Sequence, residues 1–279
     1  MNNPKARAAE LPVDKLCPFE GHPFQVKDDE EMDRLVYSVL TQGLLTPIVV
    51  RPMENGEYEV ISGHRRLRAC QKAGIQTVPA LIYSMSRDEA AIALVDSNLH
   101  RERILPSEKA FAYKLKMEAL SHQGTSRQVG EKWSVQQLSE SGVDSERQVH
   151  RYIRLTNLIP EILTMVDEGK IALTPAVELS YLTEQKQRNL LETMESEDCT
   201  PSLSQAIRLK KLSQNGTLNL QIIPEILREP KANQQEKISF RVEEIRKFFP
   251  KSYSSAKIQE TILKLLGEYR KKRNRGPEL

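Results

Sequence analysis

Aromatic residues make up only 5% of this 279-residue chain, and Trp133 is its one tryptophan. Cysteine is scarce too: Cys17, Cys70 and Cys199 are odd in number, widely separated and accompanied by no CxxC or histidine pair. That pattern excludes a disulfide framework and gives no support to a zinc site. No stretch approaches the ~18 consecutive apolar residues needed to cross a bilayer, and residues 1–11 lack the apolar core of a signal peptide. The expectation is a soluble protein of a reducing cytoplasm with no membrane contact. A large charge of one sign is missing as well: 41 Lys+Arg against 38 Asp+Glu leaves +3. Bulk charge therefore does not argue for nucleic acid, and the placement of the basic residues has to.

The chain is long enough for two or three compact units, and 39% hydrophobic content can supply a core in each. Residues 11–19 alternate apolar and polar, which predicts a short edge strand leading into a loop. Residues 28–40 carry Met32, Leu35, Val36, Val39 and Leu40 at helical spacing, with Gly43 as the stop. A β-branched run at residues 46–52, the turn signal Asn55-Gly56 and a second strand at residues 57–62 read as a hairpin. There follows Gly63-His-Arg-Arg-Leu-Arg-Ala-Cys70, a glycine and three arginines at the start of a helix that Gly74 ends. Backbone N–H groups at a helix start are unpaired and carry the positive end of the dipole, so this is a place to hold a phosphate; the alternative is a solvated basic face. Another strand at residues 78–83 completes a small α/β unit. Residues 86–99 read as a helix running into Asn98-Leu-His-Arg101, and Pro106 with Ser107 as cap opens a long helix that Gly124 closes.

From residue 135 to 156 the pattern becomes two short helices about a turn, Ser141-Gly-Val-Asp144, with Val135 and Leu138 on the buried face of the first. Ser145 and Gln148 have capping-box spacing for the second, and Val149, Ile153 and Leu155 lie on its packing side. Its other positions, Arg147, Gln148, His150, Arg151 and Arg154, are side chains that read base edges or phosphates, and with Ser145 they form the candidate DNA-binding set. This is the helix-turn-helix pattern; an αα-hairpin with a solvated face is the alternative. Residues 159–182 hold two short helices separated by Gly169 and Thr174-Pro175, and residues 184–214 are mostly helical, as a buttress. Residues 215–236 read as a linker. Beyond it, residues 242–249 and 257–269 are predicted helices, the second with Ile258, Ile262, Leu265, Leu266 and Tyr269 as an apolar stripe. The stripe fits self-association or packing within the chain, and the basic tail at 270–275 fits non-specific DNA contact or a solvated run.

Four motifs in this order, Thr46-Pro-Ile-Val-Val-Arg51, Gly63-His-Arg-Arg-Leu-Arg-Ala69, Asn98-Leu-His-Arg101 and the helix-turn-helix, resemble those of ParB-type partition proteins, plasmid and nucleoid-occlusion members included. The resemblance implies an α+β fold class: a small α/β nucleotide-binding domain (residues 1–104), an all-α helix-turn-helix DNA-binding domain (105–215), a linker (216–238) and a helical dimerisation region with a basic tail (239–279). It implies CTP and Mg2+ as cofactors. The implied partners are double-stranded DNA (a palindromic centromere-like site and non-specific DNA), a second copy of the chain and a ParA-type Walker ATPase, with a nucleoid-associated location. It carries the nucleotide-binding role onto Thr46, Arg51, Gly63, His64, Arg65, Arg66, Asn98 and Arg101, with Asn98 also at the metal. Three positions depart from the family pattern: Thr46 stands where glutamine is usual, and His64 and Ser97 where glutamates are usual. The glutamate replaced by Ser97 is associated with hydrolysis, so binding survives the comparison better than turnover, and Asp96 and Glu102 are the carboxylates left to replace it. The expected function is a CTP-switched DNA clamp in chromosome or plasmid segregation, primarily DNA-binding and at most a slow CTPase. The alternatives are a nucleoid-occlusion or transcription regulator and, behind it, a nuclease or sulfiredoxin-like enzyme.

Overall fold

The computed structural model describes residues 6–122, 144–229, 245–250 and 252–274. They fall into two units, residues 1–229 and 230–279. The first unit opens on a five-stranded sheet of order β1-β5-β3-β4-β2, formed by β1 (Arg7–Pro12), β2 (Leu16–Pro18), β3 (Ile48–Pro52), β4 (Tyr58–Ser62) and β5 (Thr77–Ile82). β1 runs antiparallel to β5 and β2 parallel to β4, so these two strands occupy opposite edges. Only the 3-10 turn Val13–Lys15 separates them. Four flat strand spacings come to ~19 Å, more than the ~14 Å that four residue steps can reach, so the sheet must curl until its edges approach. The single edge strand expected at residues 11–19 is thus two strands, because a short turn carries the chain across the mouth of a curled sheet.

Helix α1 (Glu30–Gln42) is capped by the Asp29 carboxylate, which accepts from the Met32 N–H, and it ends at Gly43 with φ 71°. Helix α2 (His64–Lys72) leaves β4 through Gly63. Met32, Val39, Leu67, Ala69 and Cys70 from these helices meet Ile48, Val50, Val60, Val78 and Ala80 of the sheet in one apolar cluster. Helix α3 (Arg87–Asn98) starts with a full capping box between Ser86 and Glu89. Helix α4 (Pro106–His122) is apolar on more than one side. Its Ala112, Tyr113 and Ala119 pack with α3, while its Ala110 belongs to a second cluster built by the helices that follow. A helix that serves two cores is buried on most sides. For this reason the expected division at residues 104–105 is no gap in the structure: α4 is shared by the sheet side and the helical side.

Ser107 was expected to cap α4, yet it lies inside the first turn, where its N–H and hydroxyl both donate to the Asp167 carboxylate. The helix starts one residue earlier because proline at the first position needs no N–H partner. Next come α5 (Glu146–Leu155), α6 (Pro160–Asp167), α7 (Leu173–Leu179), α8 (Glu184–Ser196), α9 (Leu203–Gln214) and α10 (Ile222–Arg228). Thr174-Pro175 sits in the first turn of α7 and does not separate helices. Residues 216–229, expected to be linker, include α10, whose Ile223, Ile226 and Leu227 are buried in the cluster shared with α8 and α9. The Gln205 amide holds it by donating to the Ile226 carbonyl at 2.7 Å. The predicted first helix of the helix-turn-helix, its turn up to residue 143, Trp133 and Gly124 lie outside the described residues. In the second unit, α11 (Ser255–Asn274) spans the apolar stripe and most of the basic tail. No helix among the described residues is long and apolar enough to cross a membrane.

Candidate nucleotide and DNA sites

Gly63 takes φ 103°, ψ 23° between β4 and α2, and no side chain caps the helix it opens. A side chain here is opposed twice, by the left-handed backbone and by the Arg66 guanidinium 3.1 Å from where a Cβ would stand. The first turn of α2 holds His64, Arg65 and Arg66 with no acidic residue. Cations at a helix start oppose the dipole, so the element is locally frustrated in a way that an anion relieves.

The arginines divide the work. Arg66 bends back and donates to the carbonyls of Thr46 and Pro47, at 2.5 and 2.7 Å, fastening the start of β3 to α2. Arg68 is paired with Asp28 at 2.6 Å, and Lys72 with Asp33 at 3.1 Å, so the outer face of α2 is matched to the acidic start of α1. Arg65 makes only long contacts, 3.4 Å to Asp29 and 3.3 Å to Glu31. It is the arginine of this box most available to a ligand. Arg51 stands apart from the box: it pairs with buried Glu59 at 2.6 Å across β3 and β4.

His64 is held neutral. Its Nε2 accepts the Phe19 N–H at 3.4 Å, and burial, then His22, then Arg101 pull its pKa down to about 3. The His22 ring lies 3.8 Å from the His64 ring, and Phe24 beyond it carries the Arg101 guanidinium 5.6 Å above its face. Arg101 is near enough to both His64 and Arg65 for its charge to act on each. The loop at residues 19–25 therefore joins the arginine box to the end of α3. His22 and Phe24 were missed by sequence reasoning, since no periodicity or motif marks a loop residue that stacks on a helix start 42 positions away.

Asn98, at the end of α3, is 4% exposed. Its amide donates to Leu94 O at 2.7 Å and to Ser97 Oγ at 3.1 Å, while Oδ1 is buried without a partner. An orphaned amide oxygen is a hard donor that suits a cation or a ligand N–H. Asp96, one of the carboxylates considered for the missing glutamate, is instead paired with Lys116 of α4 at 2.5 Å. Among the described residues no three His, Cys, Asp or Glu side chains converge as a metal site. Cys70 is fully buried and burial raises its thiol pKa, which does not suit a nucleophile.

On α5, Val149 and Leu155 are buried as expected and Ile153 is partly so. Ser145 is the N-cap residue, but its side chain makes no capping bond, so the expected box with Gln148 is not formed. Gln148 accepts instead from Arg151 at 3.0 Å, and Arg151 also donates to Thr174 at 2.6 Å. Arg154 donates to Ser180 O at 2.8 Å and stacks 4.0 Å from the Tyr181 ring. Ser145, Arg147 and His150 are the exposed members of the set. The helix is seated by Asp144, just before it, whose carboxylate accepts from Tyr113 Oη and Lys109 Nζ, both at 2.6 Å.

Residues 2–99 match the family described as the ParB N-terminal domain. The nucleoid occlusion protein of Listeria innocua serovar 6a (strain ATCC BAA-680 / CLIP 11262) is 34% identical over 193 residues, 68% of this chain and 63% of that protein. The C-terminally truncated chromosome-partitioning protein ParB from Caulobacter crescentus is similar in two solved structures. Its complex with CTP-gamma-S is 26% identical, covers 62% of this chain and 92% of that one, and has a TM-score of 0.32. Its complex with the centromeric parS site is 22% identical, covers 80% and 100%, and has a TM-score of 0.41. A curled α/β unit with an arginine-loaded helix start, ahead of an all-helical half, is the class of protein described. Residues 2–99 belong to the ParB N-terminal domain family. It spans less than two thirds of the length of the curated relatives it matches.

Proposed function

We propose that this chain is a sequence-specific DNA-binding protein of the ParB type that binds a palindromic site as a dimer and closes on DNA as a CTP-switched clamp. The observation that carries the reading is the uncapped start of α2 at Gly63, with Arg65 and Arg66 and no acidic residue, joined through His22, Phe24 and Arg101 to the orphaned Asn98 Oδ1. The triphosphate fits Arg65, Arg101 and the free N–H groups of α2. Mg2+ fits Asn98 Oδ1, with its remaining ligands drawn from phosphate oxygens and water. When bound, the ion neutralises phosphate charge. Arg66 acts differently from the arginine beside it, as a strut that fixes Thr46 and Pro47 at the rim. His64, neutral, keeps the loop at residues 19–25 against α2 and has no proton to give near neutral pH. With Asp96 paired to Lys116, Glu102 is the remaining replacement for the missing glutamate, and hydrolysis is expected to be slow. Arg147 and His150 are the side chains presented to base edges. A Walker-type ATPase partner belongs to the segregation reading.

The test is binding of radiolabelled CTP, ATP, GTP and UTP, with and without a duplex selected by this protein from random-sequence DNA. Preference for CTP that is lost in Arg65→Ala supports the reading; equal or absent binding of all four overturns it. The second reading, nucleoid occlusion or transcription regulation, is favoured by the similarity to nucleoid occlusion proteins. Sites dispersed over the genome would select it over partition.

A further inference from the structure

Three successive residues in the first turn of α4 are bonded to three different parts of the first unit. Ser107 is held by Asp167 at the end of α6. Lys109 is held by Asp144, which leads into α5, and lies 4.9 Å from the ring of Tyr152 in the same helix. Between them, the Glu108 carboxylate closes the start of α4 by accepting the Leu105 N–H at 3.0 Å. With its other oxygen it accepts the Gln25 N–H at 2.8 Å, the last residue of the loop that carries His22 and Phe24. Its negative charge acts on both His22 and Arg101.

Taking the nucleotide reading above as its basis, we propose that Glu108 is the positioning residue that links the nucleotide site to the DNA-reading helix. A phosphate at Arg101 and the Glu108 carboxylate compete for one cation, so the distance between Glu108 and Arg101 sets how well the anion is held. That distance is not free. The turn that carries Glu108 is fixed on either side by Asp167 and by Asp144, so whatever changes the seating of α5 changes the field at Arg101. Linkage makes the effect reciprocal: DNA on α5 alters nucleotide affinity by the same factor as nucleotide alters DNA affinity. Ser107 and Lys109 play no part in the nucleotide site itself, which separates the link from the ligand contacts.

The experiment measures CTP affinity of the full chain with and without the selected duplex. In the unaltered protein the duplex is expected to shift CTP affinity by about tenfold. Glu108→Gln loses the charge and keeps one of the two acceptor oxygens, an NH2 group replacing the other, so it should bind CTP more tightly without DNA and lose the shift. Structural damage would weaken binding, not tighten it. Lys109→Met leaves the Glu108 charge in place and cuts the tie to Asp144, so it should keep the CTP affinity measured without DNA and also lose the shift. A shift that survives in both variants, or no shift in the unaltered protein that binds CTP, overturns the link alone. Failure of the unaltered protein to bind CTP overturns the nucleotide reading and the link with it.

Discussion

Arg65 and Arg66 are neighbours of the same type with opposite employment. Arg66 is half-buried with two carbonyl partners, whereas Arg65 reaches its carboxylates only at 3.3 and 3.4 Å. Arg66→Ala is therefore expected to lower unfolding stability by about 1.5–3 kcal/mol, as charge-assisted hydrogen bonds do, while Arg65→Ala costs less than about 1 kcal/mol. Chemical denaturation of the two variants checks the contrast, and equal losses would contradict the division of roles. His64 sets a pH window. Its folded pKa, about 3, lies below the ordinary 6.5, so the unfolded chain binds the proton that the folded one refuses. The stability this contributes is full above pH 6.5 and is lost as pH falls toward 3, with a slope approaching ~1.4 kcal/mol per pH unit. Urea titrations across that window should show a shallower fall for His64→Gln; an unchanged slope would mean the histidine is not held neutral.

At the scale of the element, α5 shows how one helix face is shared between reading and anchoring. Sequence spacing grouped Arg147, Gln148, His150, Arg151 and Arg154 as a single polar surface. The structure ties Arg151 to Thr174 and Arg154 to Ser180 and Tyr181, which leaves Arg147 and His150 outward. Arg147→Ala is expected to lower specific DNA binding by ~1–3 kcal/mol with little change in folding stability. Arg154→Ala should lower the melting temperature, because it removes a hydrogen bond to Ser180 O and the stacking on Tyr181. Competition binding on selected and random duplexes, paired with thermal melts, separates the two. Equal loss on both duplexes for Arg147→Ala would count against base reading.

At the scale of the whole molecule, the second unit contributes a helix whose apolar residues are mostly uncovered: Leu263, Leu265, Leu266 and Tyr269 are each more than half exposed. A 20-residue helix with such a stripe is marginal alone and is stabilised by a matching surface. A second copy of α11 supplies that surface in the proposed dimer. Leu266→Glu should convert the dimer to a monomer in sedimentation equilibrium and weaken binding to a palindrome far more than to a half-site, through lost avidity. A dimer that persists would place the interface elsewhere. The first unit, by contrast, buries three apolar clusters, and α4 contributes to two of them.

The local order of elements was legible because it depends on short-range signals: Gly43 and Gly74 stop helices by adopting left-handed φ, Asn55-Gly56 turns the hairpin, and 3.6-residue spacing marks α1 and α11 as helices. The basic box at Gly63 was legible for the same reason, since glycine and arginines sit together in the chain. Partnership was not. Whether Arg66 is a strut or a ligand contact, whether Asp96 is a free carboxylate, and whether Ser107 caps its helix depend on Thr46, Lys116 and Asp167, residues brought near only by folding. The joining of residues 19–25 to α2 and α4 belongs to the same class. Hydrogen bonds and ion pairs act over a few ångströms of space, and a linear pattern carries no information about that distance until the curled sheet and α4 have set it.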